Sequence, residues 1–265
     1  MPLIDPQRLS SLLAETAGRF DVDSLDVCDS TSSELMRRAE AGAPAGSVVV
    51  ADAQTAGRGR RGRTWLSDPE ACLMFSLLWR LPPNRLAGLS LVVGLAVAQA
   101  LEGLGVAGVG LKWPNDVLLK TEAGFAKLAG ILVELSTDRR GVQAVIGIGI
   151  NLRRPVGELA MPAAGVADAV AALPDRHLLL AEVLAALARV LDRFTAEGFA
   201  PLAEAWQYRN AWRDSPVVLL LDGVEIGRGL CRGADADGAL LVETAAGLER
   251  FLSGDLSLRP GGGVA

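Results

Sequence analysis

Residues 57–63 read Gly-Arg-Gly-Arg-Arg-Gly-Arg, so four arginines and three glycines share seven positions, and Trp65 closes the run. Arginine's planar, forked donors match carboxylate and phosphate oxygens. Glycine lets the backbone turn where other residues cannot and approach a ligand closely. The loop reads as a wrap for something small and anionic, with Trp65 as a stacking face or lid; the bland alternative is an exposed basic loop. Gly57, Gly59 and Gly62 also satisfy G-x-G-x-x-G. A dinucleotide site places that pattern between a strand and a helix. Here a strand-like run precedes it and no helical periodicity follows. A kinase-type glycine loop would need His-Arg-Asp and Asp-Phe-Gly partners, which the sequence lacks.

Three further stretches carry chemistry. Lys112-Trp113-Pro114-Asn115-Asp116 gathers a cation, an amide and a carboxylate at one tight turn. Lys127-Leu128-Ala129-Gly130 launches an apolar strand from a lysine. Gly147-Ile148-Gly149-Ile150-Asn151 puts two glycines inside a strand, where they mark a bulge or the close approach of a ligand, and ends on an amide able to read a purine edge. Upstream, Thr31 with Glu34 three residues later reads as a capping box. Hydroxyls at such a helix start also bind anions and polar ring ligands.

These residues need a scaffold. Residues 6–17 and 84–102 read as helices, and a helix from Thr31 ends near Gly42. Strands are expected over 25–28, 46–53, 71–80, 127–134 and 143–152, with a turn at 121–126. In the third, Leu73, Phe75, Leu77 and Trp79 alternate with Met74, Ser76 and Leu78, so both faces are covered. After an irregular connection over 153–174, Asp175 caps an amphipathic helix that Gly198 stops, and 199–212 reads as a second helix. From Ser215 short strands alternate with Asp222-Gly223 and Asp237-Gly238 turns, the pattern of a small all-β barrel, with 261–263 as a frayed tail. The chain therefore divides into residues 1–214 and 215–265, and it contains no repeats.

Composition narrows the function. The net charge is −5, which disfavours an extended nucleic-acid surface and makes the arginine loop a local exception aimed at a small ligand. Cys28, Cys72 and Cys231 lack metal-like spacing and suit a reducing cytoplasm. No signal peptide is visible, and the most apolar run, 86–101, falls short of a membrane span. His177 is the single histidine, read as a helix-surface residue, which excludes chemistry needing two histidines and disfavours a Ser-His-Asp triad.

Taken in order, the arginine loop, Lys112–Asp116, Lys127–Gly130 and Gly147–Asn151 closely resemble the biotin protein ligases. The resemblance implies an α+β fold: a central mixed sheet flanked by helices, followed by a small SH3-like β-barrel. It implies activation of biotin with Mg-ATP to biotinyl-5′-adenylate, then transfer to a lysine of the biotin carboxyl carrier domain of acetyl-CoA carboxylase or a related carboxylase. Ser30, Thr31 and Gln54 would hold the biotin ring. Gly57, Arg58 and Arg60 would fold over biotin and the adenylate phosphate. Lys127 would bridge the biotin carboxylate and the α-phosphate. Gly130 and Gly147 would let biotin lie against the strands. Trp65 and Asn151 would contact adenine, and Lys112, Asn115 and Arg63 would face the phosphates. Asp116 would help place Mg²⁺ or accept a proton from the incoming lysine. Ser32 stands where the family usually has asparagine. The length before the first motif resembles that of monofunctional members, so no operator binding is expected, and a monomer or weak homodimer is. The rival readings are a lipoate ligase, a non-catalytic biotin-binding regulator and, weakest, a nicotinamide enzyme. The arginine loop is expected to be mobile until ligand orders it.

Overall fold

The computed structural model describes residues 2–65, 68–139, 141–156, 161–252 and 256–261. Its centre is a seven-stranded mixed sheet. Strand β1 (Asp21–Cys28) runs parallel to β2 (Ser47–Gln54), and helix α2 (Thr31–Glu40) makes the crossover between them. Next come β3 (Cys72–Leu81), β7 (Gly141–Asn151), β6 (Gly124–Asp138), β5 (Asp116–Thr121) and β4 (Val109–Lys112), all antiparallel to their neighbours.

Period-two alternation decides which side chain enters which layer. Val48, Val50, Leu73, Phe75, Leu77, Ile146, Ile148 and Ile150 face one core, which includes buried residues of α1 (Pro6–Leu13), α3 (Leu89–Gly103) and α4 (Arg176–Glu197). Val49, Leu78 and Val145 face the other way, against Leu35 and Ala39 of α2. Both faces of the sheet are thus covered, as the apolar strands require.

A second, five-stranded antiparallel sheet has the order β11 (Gly247–Phe251), β10 (Leu240–Thr244), β9 (Val224–Ala234), β8 (Pro216–Leu221), β12 (Leu256–Pro260). Among the described residues β11 and β12 do not pair, so the sheet stays open at that seam. Val217, Leu219, Cys231, Leu240, Val242 and Leu258 continue the main core, and the Trp113 indole donates to the Gly238 carbonyl at 3.1 Å. The two sheets are therefore packed together.

Local differences from the sequence reading have identifiable causes. The first helix stops at Leu13, because Ala14 turns to φ 47°, and a 3₁₀ turn over Ala14–Arg19 follows. The N-cap of α2 is Ser30, not Thr31, while the Glu34 carboxylate binds Arg37 and Arg38 instead of closing a capping box. Helix α3 begins at Leu89 because Gly88 has φ 83° and lies against the Phe199 ring. The expected helix over 199–212 is a 3₁₀ turn and a short α5 (Ala203–Tyr208). Beyond it Leu111 donates to Arg209 O and Ala211 donates to Leu111 O, which pulls the chain alongside β4. Gly261 donates to Pro216 O at 2.8 Å, so the expected tail is tied at its first residue; 262 and 263 lie outside the described residues.

Candidate active site

The central sheet ends in a cleft whose floor is backbone. Gly130 of β6 pairs with Gly149 of β7, and Gly147 pairs with Ser76 of β3. At one rim the N-terminus of α2 delivers Ser30, Thr31 and Ser32, all buried. The Thr31 amide donates to Gln54 Oε1 at 2.8 Å, and the Thr31 hydroxyl reaches the same oxygen at 3.3 Å. Gln54 in turn donates to Met74 Sδ. Ser30, Thr31 and Gln54 therefore stand together, as the sequence reading expects.

At the other rim is a charge cluster. The β4–β5 hairpin turns through a cis Trp113–Pro114 peptide and places Lys112, Asn115 and Asp116 side by side. Asp116 Oδ1 lies 2.6 Å from Lys127 Nζ, and Oδ2 lies 3.1 Å from Lys112 Nζ. Burial alone would raise the Asp116 carboxyl, but the attraction of Lys127 and Lys112 outweighs it and holds the group at about 2. Burial pushes Lys112 below its ordinary value, and Asp116 offsets that only in part. Lys112 also lies 5.1 Å from the Trp212 ring centroid. The cluster keeps two cations in a half-dry cleft by spending one carboxylate on both.

The arginine loop covers this ground. Gly59 N donates to Arg63 O, Trp65 N donates to Gly57 O, and Arg60–Gly62 forms a single 3₁₀ turn. Its side chains are tied to three different elements: Arg58 to Glu134 of β6 at 2.6 Å, Arg60 to Asn115 Oδ1 at 3.1 Å, and Arg61 to Asp222 of the second sheet at 2.9 Å. Two cavities meet beneath it. The larger, ≈ 190 Å³, is bordered by Arg60, Arg63, Lys112, Asn115, Asp116 and Asn151. The smaller, ≈ 50 Å³, is bordered by Ser30, Thr31, Gln54, Arg58, Gly130 and Gly147. Lys127, Arg60, Asn115 and Trp65 border both.

The smaller cavity is small because Trp65 lies on its floor. A methyl on Gly149 would come within 2.4 Å of the indole, and one on Gly130 within 2.9 Å. Lys127 Nζ sits 5.6 Å from the ring centroid. The indole Nε1 is buried with no hydrogen-bond partner among the described residues, a costly state for a donor. Trp65 must therefore leave this floor for any other ring to use it.

Two expectations change in detail. Asn151, read as an adenine contact, donates its amide to Lys127 O at 3.2 Å and Ala164 O at 3.1 Å, so its protons brace the backbone behind Lys127. Asp116 does not fit a magnesium ion, because both oxygens already face ammonium groups. Among the described residues no three His, Cys, Asp or Glu side chains gather as metal ligands. His177 is buried instead of lying on the helix surface: its Nε2 accepts from Asp5 N at 2.8 Å, far from the cleft chemistry.

Sequence reasoning passed over several neighbours of the site. Glu134 anchors the loop, and Gly149 lies directly under the Trp65 ring. Leu256, Ser257, Leu258 and Arg259 of β12 border the larger cavity, as do Met161 and Ala163 of the irregular connection. The β6 and β7 pattern hinted at Gly149; nothing local signalled that β12 folds back onto the site.

Comparison with known proteins agrees with this geometry. Residues 25–151 match the biotin/lipoate A/B protein ligase family, and residues 214–259 match the biotin protein ligase C-terminal domain. A bifunctional ligase/repressor of Salmonella typhimurium is 40% identical over 97% of this chain and 79% of its own. A biotin–[acetyl-CoA-carboxylase] ligase of Mycobacterium tuberculosis is 32% identical over 96% of this chain and 95% of its own. A solved structure of the Aquifex aeolicus biotin protein ligase, in complex with biotin and ATP, superposes with a TM-score of 0.79 at 34% identity, covering 91% of this chain and 99% of that one. On these likenesses the chain belongs to the biotin protein ligase family of enzymes.

Proposed function

We propose that this chain activates biotin with ATP and passes the biotinyl group to a lysine of a biotin carboxyl carrier domain. The observation that carries the reading is the position of Lys127. Its ammonium stands where the two cavities join, so one cation faces both a carboxylate on the glycine floor and a phosphate in the larger cavity. A biotin carboxylate oxygen attacks the α-phosphorus, the bond to the bridging oxygen breaks, and pyrophosphate leaves with the electron pair. Two anions must meet for this step, and fixed cations lower its barrier. Lys127, Arg58 and Arg60 supply them at the reacting centre. Lys112, Asn115 and Arg63 face the departing phosphates.

Ser30, Thr31 and Gln54 hold the polar edge of the biotin ring, and Gly57, Gly130 and Gly147 let it lie close to the backbone. Trp65 swings from the floor to the adenine, where its buried N–H finds an acceptor. Asn151 braces this side of the cleft. In the second step the acceptor amine attacks the acyl carbon and AMP leaves, so the enzyme needs no nucleophile of its own. Asp116, whose affinity for a proton two ammonium groups keep low, anchors Lys127 rather than serving as the base.

Strand β5 and the adjoining Asn115 cover β6 only as far as Ile131. The edge beyond it, with Leu135 exposed, is available to the carrier or to a second copy of the chain. The same proposal includes the division at residue 214, action as a monomer or weak homodimer and a place in the cytoplasm; no helix among the described residues is long and apolar enough to cross a membrane. The test is transfer of labelled biotin to a purified carrier domain with ATP. Label on the carrier, abolished when its acceptor lysine is replaced by arginine, is expected. Labelling with lipoate in place of biotin, or none with either, overturns the reading.

A further inference from the structure

A chain of buried hydroxyls stands behind the cleft wall. Ser32 Oγ lies 3.0 Å from Ser76 Oγ, and Ser76 Oγ donates to Thr31 Oγ1 at 2.8 Å. Ser76 is fully buried and borders neither cavity, so it reaches a ligand only through Thr31 and Ser32, which both border the smaller one. The chain also accounts for Gly147. That residue pairs with Ser76 across β3 and β7, and a methyl on it would lie 2.4 Å from Ser32 Oγ. Glycine at 147 makes room for the hydroxyls as well as for a ligand.

A hydroxyl has one proton to give. The proton of Ser76 goes to Thr31, so Ser32 is the donor in its contact with Ser76. Thr31 Oγ1 then has an accepting site filled from behind. Among the described residues its own proton is held only by the long 3.3 Å contact to Gln54 Oε1, an oxygen that already takes the Thr31 amide at 2.8 Å. A hydroxyl held this loosely readily turns its hydrogen bond toward a better acceptor in the cleft.

We propose that Ser76 is a positioning residue for ligand recognition: through the Ser32–Ser76–Thr31 chain it fixes the Thr31 hydroxyl as a donor aimed at the carbonyl oxygen of the ligand's cyclic urea. The proposal rests on the biotin reading above. Ser76 touches no reacting atom, and its effect falls on ring recognition, not on the chemical step.

The test is biotin-dependent ATP–pyrophosphate exchange by Ser76→Ala. KM for biotin rises about tenfold, the value of one hydrogen bond, while kcat and KM for ATP stay within about twofold. On a Thr31→Ala background Ser76→Ala adds nothing. With 2-iminobiotin, whose ring carries an N–H where biotin carries the carbonyl oxygen, Ser76→Ala narrows the wild-type preference for biotin. Ser76→Cys, close in size with a weaker donor, gives the same ordering if the alanine variant does not fold. Equal losses for both ring types, additivity with Thr31→Ala, or a lowered melting temperature with unchanged KM overturns the proposal. Wild-type protein with no biotin-dependent exchange instead retires the underlying reading.

Discussion

Asp116→Asn tests whether one carboxylate holds the cation array together. In the folded chain its oxygens lie 2.6 and 3.1 Å from two lysine ammonium groups, and its carboxyl is held at about 2 against an ordinary 3.8. That gap corresponds to stability on the order of 2 kcal/mol. Removing one partner of a buried pair costs about 3–5 kcal/mol, because the remaining charge is left without compensation. Lys127 is about a quarter exposed, which favours the lower end, so the variant is expected to lose about 3 kcal/mol at neutral pH. The sign with pH follows from the direction of the shift. A carboxyl depressed on folding contributes fully above its unfolded value and loses that contribution as pH falls through its folded value. Urea melts of both proteins from neutral pH to about pH 2 should therefore begin to converge below about pH 4 and nearly meet by about pH 2, since the wild type gives up what the variant never had. Asp29, also held at about 2 by Arg37, titrates in both proteins and cancels in the difference. Equal stability at neutral pH, or a stability gap that does not change with pH, would refute the reasoning.

Other outcomes follow from single contacts. Gly149→Ala drives a methyl into the Trp65 ring, so the indole is pushed off the floor. Acrylamide quenching of tryptophan emission rises in the free protein, with a stability cost of about 1–3 kcal/mol. Glu134→Gln releases Arg58; trypsin then cuts the arginine loop faster in the free protein, and biotin with ATP removes the difference. Because that ion pair is partly exposed, thermal stability moves by less than about 1 kcal/mol. His177→Ala orphans the Asp5 amide and frees the N-terminal helix, costing about 1–3 kcal/mol in a denaturant melt while exchange activity stays at the wild-type level.

The sequence made the site more legible than the scaffold around it. Alternation in Leu73–Trp79 and glycines at 147 and 149 identified strands, and the four motifs placed Lys127, Asp116 and the arginines in one cleft before any pairing was known. Strand order was not legible, because nothing in β2 or β3 states that β7 lies beside β3. The N-cap fell one residue early, since Ser30 and Thr31 are both good caps and only the backbone decides between them. His177 reads as surface from the sequence because its partner Asp5 lies 172 positions away. Trp65 was read as a nucleotide contact. Its seat on Gly149 depends on how a loop folds over a sheet, which neither propensity nor periodicity records.

The most direct test of the central claim is exchange of labelled pyrophosphate into ATP by the purified wild type and by Lys127→Ala, with biotin, lipoate or neither. The account predicts exchange that depends on biotin alone and falls at least about 100-fold in the variant, assayed well below its own melting temperature, which the loss of the Asp116 partner lowers. Exchange without biotin, exchange with lipoate instead, or near-normal exchange by Lys127→Ala would contradict it.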